Sequence, residues 1–178
     1  MMAEQDDSQA PKKHLVRAAD WQGKYDARLS HPLNEASDVF WLSLSEKVGM
    51  ARAHLSVITL PPGKESFAYH FHRVQEEFIF VLSGEGQADI GDQVFDVGPG
   101  DYMGFPTDGT GHHLRNTGTD NLVYLVGGER TSHEIAHFPR HGKVLVADAG
   151  TPLMADKEAF SAMEMSDWVV KENLDGNS

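Results

Sequence analysis

Four residues of this chain have the types and spacing to hold an ion together: His70, His72 and Glu77, followed forty positions after His72 by His112. In an extended strand side chains two apart share a face, so His70 and His72 point the same way and their nitrogens can converge. A short turn returns Glu77 beside them, and a hairpin neighbour lies close enough for its carboxylate to close a third position. His112, on a later strand, supplies the fourth. Three neutral imidazoles and one carboxylate form a donor set of borderline hardness, suited to one divalent ion: Fe, Mn, Ni, Co, Cu or Zn. The residues do not choose among these metals. An H-x-H, a doubled glutamate and a lone histidine are each commonplace on protein surfaces, so it is their joint occurrence that points to a site. The chain has no cysteine, which removes disulfides, thiol catalysis and Cys-type metal sites, and leaves any metal to His, Asp or Glu.

The elements that must position these residues are strands. The chain has 178 residues, near the size of one domain, and 40% of them are hydrophobic, as in folded soluble proteins. From about Asp38 onward, short runs rich in β-branched and aromatic residues are broken by glycine and proline every 8–12 residues or so, the pattern of an all-β sandwich or barrel. Candidate strands are 39–45, 51–60, 67–71, 77–82, 86–90, 93–97, 102–105, 112–116 and 122–126. Pro61-Pro62-Gly63 and Pro99-Gly100 carry the chemistry of tight turns, and Gly91-Asp92 suits a hairpin. Residues 1–14 are polar and predict a loose tail. Residues 15–150 form one domain in this reading, and 151–178 a short C-terminal helix and tail, with Phe160, Met163, Trp168 and Val169 on its apolar face. His133, His137 and His141 recur at helical spacing, but Pro139 breaks that helix, so they read as irregular surface histidines.

With those residues in view, the chain resembles the cupin superfamily. Gly63, six residues, then His70-x-His72-x4-Glu77-x6-Gly84 is similar to the first cupin motif. Gly100, Pro106, Gly109, His112 and Asn116 are similar to the second, in the sense of G-x5-P…G-x2-H-x3-N. The segment from Phe105 to Gly118 looks closest to small single-domain bacterial cupins that are uncharacterised or sugar-phosphate-isomerase-like. The resemblance implies an antiparallel double-sheet jelly-roll barrel, with the ion between the sheets near an open mouth and substrate on its vacant positions. Ile79, Val81, Leu114, Phe67 and Tyr69 would then line the pocket. Two departures, one extra residue after Gly63 and one between Pro106 and Gly109, fall in turns, where insertions cost little. Glu76 and His113 are the adjacent rivals of Glu77 and His112; a slip of one residue would turn either to the opposite face.

The function classes narrow accordingly. A net charge of −12 repels phosphate backbones and anionic lipid, so nucleic acid and membrane partners are not expected. The longest apolar runs have five residues, far short of a transmembrane span, and the acidic, polar start lacks the form of a secretory signal, so the expected location is cytoplasmic. Metal-assisted isomerisation, lyase or oxygenase chemistry on a small oxygenated metabolite, a sugar phosphate or a keto or carboxylic acid, is the favoured reading. The competing one is a non-catalytic ligand-binding or regulatory module. Candidates for an acid or base are His113, Tyr69, Tyr102 and Glu76, and for substrate binding Arg73 and Arg115. A homodimer paired through the strand at 39–45 completes the expectation.

Overall fold

The computed structural model describes residues 14–163. Along the chain run α1 (Ala18–Trp21), β1 (Ala27–Leu29), β2 (Val39–Ser43), α2 (Leu44–Lys47), β3 (Ala53–Leu60), β4 (Phe71–His72), β5 (Glu77–Ser83), β6 (Gly86–Ile90) and β7 (Gln93–Val97). They are followed by β8 (Tyr102–Phe105), β9 (His112–Arg115), β10 (Leu122–Glu129), β11 (Glu134–Phe138), β12 (Lys143–Asp148) and β13 (Thr151–Asp156). The strands make a six-stranded sheet in the order β1-β2-β3-β10-β5-β8, a four-stranded sheet β13-β12-β11-β4 and a three-stranded sheet β7-β6-β9, all antiparallel. The two smaller sheets are joined by an isolated bridge between His70 and His112, so that they oppose the large sheet as a second layer. The ladders do not close into a barrel.

The layers face each other because their strands alternate. In β5, Ile79 and Val81 are buried while Phe80 and Leu82 face outward. Inward residues of both layers, including Ile58, Leu60, Val81, Leu114 and Leu122, form one core, each burial contributing about 1.5–3 kcal/mol. Turns fall where proline and glycine place them: Gly63 and Gly100 have φ of +70° and +96°, a region that glycine enters without steric cost. Asn116 ties the end of β9 to its surroundings. Its amide donates to the carbonyls of Leu60 (2.7 Å) and Asp120 (2.8 Å) and accepts from Gly118 N–H (3.0 Å).

Several expectations are corrected. The expected strand at 67–71 is reduced to Phe71–His72 plus the bridge at His70, because Phe67, Ala68 and Tyr69 find no backbone ladder partner. The candidate strands end at 122–126, but β11, β12 and β13 form three further strands beyond Gly128. Where a terminal helix was expected, Thr151–Asp156 is a strand paired along its length with β12, Lys157–Ala159 is a single 3-10 turn, and Phe160 and Met163 lie exposed outside any helix; the remainder, with Trp168 and Val169, lies outside the described residues. The expected tail at 1–14 lies outside them too, apart from His14. Strand β2 is not an edge, since β1 and β3 occupy both its sides, so it cannot pair with a second copy through its backbone. Among the described residues no helix is long and apolar enough to cross a membrane.

Asn116→Ala removes two donated bonds and one accepted one from a side chain that is 2% exposed. It is expected to lower stability by about 2–4 kcal/mol, seen as a lower urea midpoint at unchanged slope.

Candidate metal centre

The four residues singled out by spacing are brought together: one ligand atom from each of His70, His72, Glu77 and His112 lies within 4.8 Å of all the others. They come from three places in the fold. His70 and His72 stand at the edge of the four-stranded sheet, Glu77 opens β5, and His112 opens β9. Two backbone hydrogen bonds, His70 N–H to His112 O at 3.2 Å and His112 N–H to His70 O at 2.8 Å, hold two of the rings side by side with centroids 4.6 Å apart. Phe105 stacks on His112 at 3.8 Å and Phe138 on His70 at 5.7 Å, which fixes the ring planes.

The donors are oriented for an ion. His70 Nδ1–H donates to the Ala68 carbonyl at 2.8 Å, so its Nε2 is left with the free lone pair. The Nε2 atoms of His112 and His72 lie 2.8 and 3.7 Å from Glu77 Oε2. Burial, then the neighbouring His112, pushes the His70 imidazole down to about 3, leaving it neutral at ordinary pH. Burial acts the other way on Glu77, but the hydrogen bond from His112 and the fields of the three imidazoles outweigh it and leave the carboxyl at about 2. An ionised carboxylate in a partly buried pocket, surrounded by imidazoles rather than by lysine or arginine, fits a divalent cation. His70, His72, His112 and Glu77 are the residues that could hold it.

These donors open onto a cavity of about 200 Å³ between the layers. Its walls include Trp41, His54, Ile58, Phe67 and Tyr124. The register explains the arrangement. Trp41, Ile58 and Tyr124 are directly paired neighbours across β2, β3 and β10, while His54 and Glu77 flank Gly128 on either side of β10. A Cβ at Gly128 would run into the Glu76 carbonyl, so glycine there lets the strands pass closely and leaves His54 and Glu77 on one row with no side chain between them. Burial lowers the His54 imidazole and raises the Tyr124 phenol, Glu77 reinforcing the latter, so both are neutral near pH 7.

The structure places the other sequence candidates elsewhere. His113, one residue from His112, faces the opposite side of β9, its ring nitrogens 3.2 Å from Glu65 and 3.8 Å from Asp89. Tyr69 lies under the Arg140 guanidinium at 3.9 Å, and Tyr102 is 66% exposed on the outer face of the large sheet. Glu76 lines a neighbouring groove of about 680 Å³, which shares His54 and Glu77 with the cavity, and does not line the cavity itself. Arg73 lies over the Phe71 ring at 4.7 Å, and Arg115 pairs with Asp89 at 2.7 Å; neither lines the cavity. Ile79, Val81 and Leu114 are core residues, and of the expected lining Phe67 alone reaches the cavity. His133, His137 and His141 do not assemble: His137 stacks on Phe71 and His133 faces Asp148 on the surface.

One supporting residue had no signature in the sequence. Glu134, 6% exposed on β11, accepts N–H bonds from Arg73 (3.1 Å), Val74 (3.3 Å), Gln75 (2.8 Å) and Ile135 (2.8 Å). Its carboxylate thereby shapes the turn between His72 and Glu77, and it faces the otherwise unpartnered His72 Nδ1 at 3.8 Å.

Comparison with known proteins gives consistent results. The family profile described as a cupin domain matches residues 56–128. The crystal structure of a proposed sugar phosphate isomerase from Acidithiobacillus ferrooxidans superposes with a TM-score of 0.80 at 31% identity, over 84% of this chain and 96% of that one. That of a sugar phosphate isomerase from a cupin superfamily, from Silicibacter pomeroyi, gives a TM-score of 0.69 at 26% identity, over 76% and 87% of the respective chains. Protein SchB of Streptomyces halstedii is 28% identical over 115 residues, which is 64% of this chain and 82% of that protein.

Two outcomes follow from the geometry. With Glu134→Gln, the amide hydrogens of Arg73, Val74 and Gln75 are expected to exchange faster, and affinity for a divalent ion to fall by about 10–100-fold, read by hydrogen exchange and by metal titration. For the metal-free chain, His70 falls from its ordinary 6.5 to about 3 on folding and Glu77 from 4.5 to about 2, so the unfolded chain binds more protons below pH 6.5. Stability contributed by both is present above their unfolded values and is lost as pH falls. Urea midpoints should drop steadily from pH 6.5 toward 3, and His70→Asn should flatten the upper part of that fall.

Proposed function

The chain belongs to the cupin superfamily, and from that premise we propose that it is a metal-dependent enzyme that moves a proton next to a carbonyl of a small oxygenated metabolite, as isomerases and lyases do. The observation that carries this reading is the meeting of four donor atoms within 4.8 Å on a cavity that also presents His54 and Tyr124. The names of the Acidithiobacillus and Silicibacter relatives support the reaction class. A divalent ion held by His70, His72, Glu77 and His112 would supply Lewis-acid polarisation of a substrate oxygen.

The chain's own groups do the rest. His70, locked by Ala68, keeps its Nε2 lone pair aimed at the site, while His112, held by Phe105, donates Nε2–H to Glu77 in the metal-free chain and would give up that proton to an ion. Tyr124, its phenol pushed up by burial, keeps its proton at Oη and can donate a hydrogen bond to a substrate oxygen. His54, neutral because burial lowers it, has a ring nitrogen free to accept a proton. Trp41, Ile58 and Phe67 keep water from the reacting carbon, which strengthens each of these interactions.

The test is elemental analysis of protein purified without added metal. Wild type is expected to carry close to one transition-metal ion per chain and His72→Ala far less; equal, negligible metal in both would leave a metal-free ligand-binding module as the better description.

A further inference from the structure

We propose that the cavity takes an unphosphorylated carbonyl compound with an apolar or aromatic body and no more than one negative charge, bound through a pair of oxygens at the metal centre. This rests on the metal-dependent reading and names its substrate class, which departs from the sugar phosphates in the names of the similar structures.

The walls carry the argument. Trp41, Ile58, Phe67, Tyr124 and Val126 present aromatic and branched apolar surface to a space of about 200 Å³. Few polar side chains join them, and two of these are already engaged: Ser66 Oγ accepts from Leu114 N–H at 2.9 Å, and Gln75 Nε2 donates to Thr131 Oγ1 at 2.9 Å. A sugar ring has hydroxyls on every side, and each one buried without a partner costs about 1–3 kcal/mol. Tyr124 and His54 can serve only a small number of them.

Charge points the same way. Among the described residues no lysine or arginine lines the cavity. The two guanidinium groups expected to reach a substrate are placed elsewhere: Arg115 joins Arg140 in clamping Asp89, at 2.7 and 2.8 Å, and Arg73 lies over Phe71. Arg130, the cation closest in effect to His54, pairs with Glu46 at 3.2 Å. A divalent ion with Glu77 leaves a single positive charge at the centre. A monoanionic chelator cancels it, whereas a phosphate dianion would leave net negative charge among apolar walls, with the Glu134 carboxylate close behind His72.

The measurement is calorimetric titration of the full-length chain loaded with Mn(II), its metal content determined on the same sample, with phenylpyruvate, 4-methyl-2-oxopentanoate and arabinose 5-phosphate. Both keto acids are expected to bind, phenylpyruvate about tenfold or more tighter than the sugar phosphate. Trp41→Ala should weaken phenylpyruvate about fivefold or more while its Mn(II) content matches wild type. Arabinose 5-phosphate binding as tightly as phenylpyruvate, or neither keto acid binding to a metal-loaded chain, overturns this inference alone. A wild-type chain that takes up no Mn(II) overturns the metal-dependent reading and this inference with it.

Discussion

The paired backbone hydrogen bonds between His70 and His112 are the constraint on which the rest depends. Among the described residues they are the only ladder contact between the four-stranded and three-stranded sheets, made where regular strand pairing is absent. The same two residues that stitch the second layer together point their side chains at Glu77, across the gap between layers. Fold and site are therefore built by one contact. A shift of either strand by one residue would break the join within the second layer and turn the imidazole away from the site. Phe105 and Phe138, stacked on the two rings, hold them from either side.

Local pattern made the centre legible. His70 and His72 are two apart, Glu77 starts the next strand, and the turn glycines adopt the positive φ that their proline partners predict. The alternation that decides between His112 and His113 follows from strand geometry, and the structure puts His113 against Glu65 and Asp89 on the far side. Illegible were the parts set by register between distant strands. Trp41, Ile58 and Tyr124 meet because β2, β3 and β10 are neighbours, and no spacing along the chain records that. Glu134 acts 59 to 61 positions from the amides of Arg73, Val74 and Gln75, outside any motif. The strands after Gly128 were obscured by short polar runs and by histidines at a misleading period, and the expected helix gave way at 151–156 to a hairpin partner for β12.

The arginines show how a sensible inference from chain position fails in three dimensions. Arg73 and Arg115 sit next to, or on the same strand as, metal-ligand candidates, and adjacency in sequence suggested adjacency in the cavity. On a strand, the neighbouring residue points the other way, and a loop residue goes where its best partner is. Arg115, with Arg140, neutralises a buried Asp89, a commitment that costs more to break than an exposed ion pair would.

The walls and the ligands belong to different strands. Trp41, Ile58 and Tyr124 stand on β2, β3 and β10, while the imidazoles and the carboxylate stand on or beside β4, β5 and β9. Selection can therefore reshape what the chamber admits, one side chain at a time, and leave the reactive apparatus untouched; descendants of a single ancestor could diverge in diet while keeping the same tool.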